Sequence, residues 1–492
     1  MPRFWSAKGE GTGWRLVANA VVVGAGPNGL AAAVTLAREG VRVTVLEAND
    51  EIGGGCRSGE ATVPGLLHDH CAAVHPMGAA SPFFRSLDLE RHGLRWAWPE
   101  VDLAHPLDDA PAAVLERDVA RTAARLGPDA DSWYRMFAPA SRSFEGLTED
   151  ILAPALRLPA HPVSYARFGL AAALPATVLA RRWRTVGARA LFAGAAAHTI
   201  SRLDLPFSSA IGLAHVLAGH RFGWPVARGG SRTIVEAMAS LLTELGGTVE
   251  TGVRVTSAAD LPPASVTLLD LAPLAAARLL GDHMPAPVRR AYERWRHGPA
   301  AFKVDLAVEG GVPWTDPVCG RAGTVHLGGT LEEIRDAESQ IVHGRMPSRP
   351  FVLVGQQYLA DPGRSRDGVH PVYAYAHVPH GYDGDGTAAV LAQIERFAPG
   401  FRERVVALSA SGPGALSEKN ANHVGGDILT GANTPAQLLL RPRPAREPYR
   451  TGVPGVFLCS AATPPGAGVH GMCGHNAAKA ALRHLRGGRR HG

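Results

Sequence analysis

Lysine is almost missing from this chain: Lys8, Lys303, Lys419 and Lys479 are the only four, against 46 arginines. Cysteine is scarce as well, five in 492 residues and nowhere spaced CxxC, which argues against both a disulfide framework and a zinc site. No uninterrupted apolar run approaches the ~18–20 residues that span a bilayer, so nothing reads as transmembrane. Met1–Val17 has charges spread through it and no apolar core, so a secretory signal is not expected and a cytoplasmic location is. The net charge of +6 comes without a recognisable nucleic-acid module, which leaves nucleic acid an unexpected partner. A chain of this length is expected to form two intimately packed domains.

What is present is concentrated near the start. Ala20–Val23 is a β-branched run too short for a helix, and it feeds into Gly24-Ala25-Gly26-Pro27-Asn28-Gly29. A small-residue helix over Leu30–Glu39, capped by Gly40, and a second strand, Val41–Leu46, complete a βαβ unit. In such a unit Gly24 permits the tight turn, Gly26 admits a pyrophosphate to the backbone, and Gly29 lets helix and strand approach. Pro27 and Asn28 open the helix, whose N-terminus presents free N–H groups to phosphate. Glu47 ends the second strand, where a carboxylate accepts ribose hydroxyls, and no base in Ala48–Glu51 offsets it for a 2′-phosphate. The expectation is a dinucleotide other than NADP.

Farther along, His68, Asp69, His70, Cys71 and His75 lie on a Pro- and Gly-interrupted loop and read as a site wall, with no metal expected. No acid occurs between Asp150 and Asp204, while seven arginines stand among apolar residues there. That segment, 151–202, reads as a lid or a membrane-facing patch, or as a helix pair with an ordinary solvated arginine face. Pattern and punctuation predict a helix over Ser231–Leu245, strands over Thr248–Val255, Val266–Asp270 and Phe302–Val308, and a last strand and helix over Gly455–Cys459 and Met472–Leu485.

Together these stretches, with Gly53-Gly54-Gly55-Cys56-Arg57-Ser58, Phe302-Lys303-Val304-Asp305, Asn422–Asp427 and Thr463–Gly474, resemble the phytoene-dehydrogenase-related FAD oxidoreductases of the amine oxidase type. The resemblance implies an α/β fold: a Rossmann-like FAD domain (17–85, 205–272 and 450–487) interleaved with an α+β substrate domain (86–204 and 273–449). It implies FAD contacts by Gly54, Gly55 and Arg57 and a backbone contact to adenine at Val255. Gly466, Gly468 and Val469 lie in a loop aimed into a helix N-terminus, suited to negative charge on a reduced flavin. The implied activity is hydride transfer from an apolar small molecule to flavin N5, with re-oxidation by oxygen or a quinone. A redox-neutral isomerase and a binding protein of the same fold are the alternatives. Lys303 is the catalytic candidate, resembling the amine oxidase lysine that reaches N5 through a water; pairing with Asp305, on the same face of the strand, is the other reading.

Overall fold

The computed structural model describes residues 18–488, so Lys8 and the stretch read as lacking a secretory signal lie outside the described residues. The described residues start with strand β1 (Asn19–Val23), helix α1 (Pro27–Arg38) and strand β2 (Arg42–Leu46). It continues with β3 (Val101–His105), β4 (Ala113–Leu115) and the helices α2 (Ala130–Ile151), α3 (Pro162–Ala172), α4 (Val186–Ala197) and α5 (Ser208–Phe222). Helix α6 (Arg232–Glu244) and strands β5 (Thr248–Glu250) and β6 (Val266–Leu269) follow, then α7 (Pro273–Leu280) and α8 (Ala286–Glu293). Next come β7 (Ala300–Glu309), β8 (Ala322–Leu327), β9 (Val352–Gly355), β10 (Val369–Val378) and β11 (Val405–Ser411), and finally β12 (Val456–Leu458) and α9 (Met472–Gly488).

Two sheets organise the molecule. The first is parallel, in the order β12-β6-β1-β2-β5, with β1 between β6 and β2. Strands β1, β6 and β12 are apolar and nearly all buried because helices cover both faces, whereas the edge strand β5 is largely exposed. The close fit of α1 has a local cause: a Cβ at Gly29 would lie 1.9 Å from the Gly24 carbonyl oxygen, so only glycine serves there. The second sheet runs β11-β7-β10-β9-β8-β3-β4 and is antiparallel except where β8 meets β3.

Three expectations are corrected. The strand over Thr248–Val255 ends at Glu250, because Gly252 takes a left-handed φ of 72° and Gly252 and Val253 donate their N–H groups to the Asn49 and Glu47 carbonyls. Helix α5, assigned to the nucleotide domain from 205 onward, packs instead on α2 and α4 in the helical part of the other domain. Conversely α7 and α8, assigned to the substrate domain, bury Ala276, Ala277, Leu280 and Tyr292 against Val21, Val23 and Leu269 of the parallel sheet.

The domains are joined by a buried ion cluster. Arg364, 1% exposed, donates Nη1 to Asp69 (2.6 Å), Nε to Asp361 (3.1 Å) and Nη2 to the Ala227 carbonyl (2.8 Å). Asp69 also accepts from the Ser58 hydroxyl and the Ser231 N–H, and Asp361 from the Gly229 N–H. Burial alone would raise the Asp69 carboxyl; the Arg364 guanidinium and these donors hold it below its usual value. Arg364→Met, which strands two buried carboxylates, is expected to lower unfolding free energy by about 3–5 kcal/mol. Denaturant titration checks this, and adding Asp69→Asn to the variant should recover part of the loss.

Candidate functional site

The carboxyl ends of β1, β2 and β6 open onto one cleft, where a parallel sheet places its ligand crevice. Its walls include Gly24, Gly26, Pro27, Asn28, Glu47, Gly54, Gly55 and Val255, together with Asn420–His423, Ala461 and the loop Ala467–Val469. Glu47 is buried at the end of β2; its Oε2 accepts the Ala25 N–H at 2.8 Å and its Oε1 the Asn49 N–H at 3.0 Å, which fixes the carboxylate against the phosphate loop. A Cβ at Gly54 would lie 3.2 Å from the Gly26 Cα, so two bare backbones touch in the wall of the cleft. These features fit a dinucleotide whose ribose meets Glu47 and whose pyrophosphate meets the start of α1.

A second cavity adjoins the first. It is walled by Cys71–Val74, Met77, Ile211, Trp224, Leu353, Tyr373 and Tyr375, with His198, His215, Asn433 and Arg441 as its other polar members. Ile428, Ala467, Gly468 and Val469 line both spaces, so the 467–469 loop is their common wall. Val469 holds a positive φ of 50°, an uncommon conformation for a β-branched residue and one concentrated at functional sites. Behind the loop, a Cβ at Gly474 would lie 1.8 Å from the Asn28 carbonyl oxygen, so α9 begins pressed against the start of α1.

Of the residues named from sequence, Gly24, Gly26, Pro27, Asn28, Glu47, Gly54, Gly55, Val255, Gly468 and Val469 line the cleft. Gly29 lies behind it as a packing residue, and Gly466 lines the second cavity. Arg57 is not part of either wall: its Nη2 donates to the Lys419 carbonyl, its Nε to the Gly54 carbonyl at 3.3 Å, and its Nη1 pairs with Glu51 at 3.5 Å. Lys303 is likewise absent from both walls. Its ammonium, 2% exposed as a residue, is paired with Asp305 and lies 4.7 Å from the centroid of the Tyr373 ring. The pairing that the strand alternation allowed is the arrangement found, and Lys303 stands behind Tyr373. The histidine-rich loop divides among separate partners: His68 contacts Asp305 and Thr62, and His75 contacts Ser231.

Several wall residues went unread in the sequence. Arg254 lines the end of the cleft that holds Glu47, a base that Ala48–Glu51 did not announce. Asp270 follows β6 as Glu47 follows β2, and that shared position was the available signal; its Oδ2 accepts the Gly29 N–H at 2.9 Å. His215 donates Nδ1–H to the Ile211 carbonyl (2.9 Å), which leaves Nε2 with its lone pair, and it stacks on His198 at 4.7 Å between centroids. His198 shares a hydrogen bond with His326, Nε2 to Nε2 at 3.0 Å. Burial lowers the pKa of all three imidazoles, so at neutral pH they are uncharged donors and acceptors.

Residues 22–88 match the family description "NAD(P)-binding Rossmann-like domain". Over 95% of its length the chain is 26% identical to the rat pyridine nucleotide-disulfide oxidoreductase domain-containing protein 2, covering 94% of that protein, and the mouse protein is 27% identical over 98% and 96%. Among solved structures, an oxidoreductase from Methanosarcina mazei superposes with a TM-score of 0.63 at 16% identity, over 94% of this chain and 100% of that one. A putrescine oxidase bound to putrescine gives 0.59 at 17% identity over 96% and 98%, and the cyclohexylamine oxidase of Brevibacterium oxydans 0.55 at 16% over 95% and 99%. The fold is of the amine-oxidase type. Within that fold the cleft described above belongs to the Rossmann-like core, and the second cavity to its interface with the antiparallel sheet.

Asp270 supplies a test of the cleft's electrostatics. Burial, with Glu47 nearby, pushes its carboxyl up from 3.8 to about 7, against the lowering effect of the Gly29 N–H. The folded state therefore holds this proton more tightly than the unfolded chain, so the group's contribution is greatest below pH 4 and is lost as pH rises toward 7. Asp270→Asn, which still accepts from Gly29, is expected to be more stable than the parent by about 2–4 kcal/mol at pH 8, with the gap closing toward pH 4. Melting curves of the two proteins across that range decide it.

Proposed function

We propose that the protein is an FAD-dependent oxidoreductase acting on an uncharged or anionic, largely apolar small molecule. The observation that carries this reading is the shared wall at Ile428 and Ala467–Val469: a dinucleotide lying from Glu47 along α1 would bring its ring system to the second cavity. When bound, FAD would supply a two-electron acceptor at that junction. The chain's own part is positioning and proton handling. Met77, Ile211, Trp224 and Leu353 exclude water from the substrate and favour apolar surface. The His215 Nε2 lone pair can accept a proton from a substrate O–H or N–H. Lys303 and Asp305, paired behind Tyr373, fix that ring and its hydrogen bond to the Cys71 carbonyl.

The amine oxidases sharing this fold suggest amines, but among the described residues no Asp or Glu lines the second cavity, and Arg441 does. A protonated amine would find repulsion there and no counter-ion, which favours substrates without positive charge. The protein is expected to take up FAD and turn yellow. Under anaerobic conditions a lipophilic polyene or cyclic alcohol, ketone or acid should bleach it where diamines do not. Failure to bind FAD in any preparation would remove this reading, and bleaching by diamines alone would reverse the substrate assignment.

Delivery of such a substrate from a membrane surface fits the segment after α2. Leu156, Leu158, Val163, Leu170, Leu174 and Val178 are exposed there, Leu158 at 91% and Leu170 at 78%, beside Arg167, Arg181 and Arg182. Among the described residues no single helix is long and apolar enough to cross a membrane, and the two helices of this segment meet at a 96° bend. Such a bent apolar pair is suited to lying within a headgroup layer. We expect sedimentation with anionic liposomes at low ionic strength, weakened by salt and by Leu158→Glu/Leu170→Glu; binding unaffected by that double change would exclude this segment.

A further inference from the structure

Arg441 is a charge without a counter-ion. It is 3% exposed, and it lines the second cavity beside the loop that both cavities share. Its Nε donates to the Gln437 carbonyl (3.0 Å), its Nη1 to the Ala461 carbonyl (3.2 Å) and its Nη2 to the Asn433 Oδ1 (2.8 Å). A guanidinium has five N–H groups, so one on each terminal nitrogen is uncommitted. Among the described residues no carboxylate lies within ion-pair distance of it. Asp427 is engaged elsewhere, accepting from the N–H groups of Gly298 and Leu429 and from His297. The Cys473 thiol, the other titratable group nearby, donates to the Gly466 carbonyl and is kept protonated by burial.

Burying an unpaired guanidinium is costly, and such groups persist where something else supplies the charge. The guanidinium also packs directly on the shared loop: a Cβ at Gly466 would lie 2.5 Å from Nη1, so glycine is what lets the cation approach. Two uncommitted N–H groups on one planar guanidinium suit a planar, delocalised anion better than a point charge.

We propose that Arg441 is an anion-binding residue of the catalytic cavity, its ligand being either a substrate carboxylate or the charge that a two-electron-reduced flavin carries along its N1–C2=O edge. The proposal rests on the FAD reading of the adjoining cleft for its second source and on the cavity alone for its first. Two variants separate the sources. Asn433→Asp places a carboxylate on Nη2 at nearly constant shape and neutralises the cation without removing it. Arg441→Lys keeps a charge and loses the fork.

Sulfite adds to oxidised flavin at N5, its lone pair forming the S–N bond while a ring electron pair moves to the N1–C2=O edge; the adduct therefore reports stabilisation of that anion independently of turnover. In the FAD-loaded protein, a flavin role predicts that both variants weaken sulfite binding about tenfold or more. A carboxylate role predicts unchanged sulfite affinity, while benzoate raises the melting temperature of the parent and fails to do so for Asn433→Asp. Equal sulfite affinity and an equal benzoate response in all three proteins would overturn the proposal. A protein that takes up no FAD would instead defeat the reading of the cleft, and the benzoate arm, measured on the protein as purified, would still decide Arg441.

Discussion

The cluster of Asp69, Asp361 and Arg364 is the constraint on which the site's geometry depends. Its carboxylates gather the Ser58 hydroxyl and the N–H groups of Gly229 and Ser231, so three separate chain segments meet at one buried guanidinium. Asp69 sits two residues before Cys71, and Cys71–Val74 form a wall of the second cavity. Ser231 precedes α6, which packs on α1. A shift of the guanidinium would thus be felt both by the cavity wall and by the helix supporting the phosphate loop. Three simultaneous hydrogen bonds from one rigid fork leave little freedom for the domains to slide.

The polar groups that line the two cavities differ in kind. The acids Glu47 and Asp270 sit at strand ends that line the cleft, while the second cavity has imidazoles, tyrosines and a guanidinium. The two sets meet at Ile428 and the 467–469 loop, which offer backbone and apolar side chains. The 467–469 loop thus stands between a cleft that carries acids and a cavity that carries a guanidinium.

The βαβ unit was legible in sequence because every signal in it is local: β-branched runs, three spaced glycines and an acid at a strand end. Helix α5 was misassigned for the opposite reason. Its apolar residues are spread around most of its circumference, so periodicity reports burial without saying against which neighbour. The early end of the strand after Gly247 depended on Asn49 and Glu47 carbonyls some 200 residues away. Lys303 was noticed through its rarity, and composition carries no direction; its place on Asp305 was a matter of side-chain geometry. Arg441, one arginine among 46, had no signal of its own, since its meaning lies in the absence of a partner in space.

The cleft is assembled from four stretches far apart in the chain: 23–55, 253–271, 418–430 and 461–469. During synthesis the first βαβ unit leaves the ribosome some 400 residues before the loop that completes the site. Until then the apolar flank of α1 that α9 covers has no partner. Completion of the cleft is thus a late event in this chain's synthesis, and the nascent N-terminal half emerges before the segments that cover it.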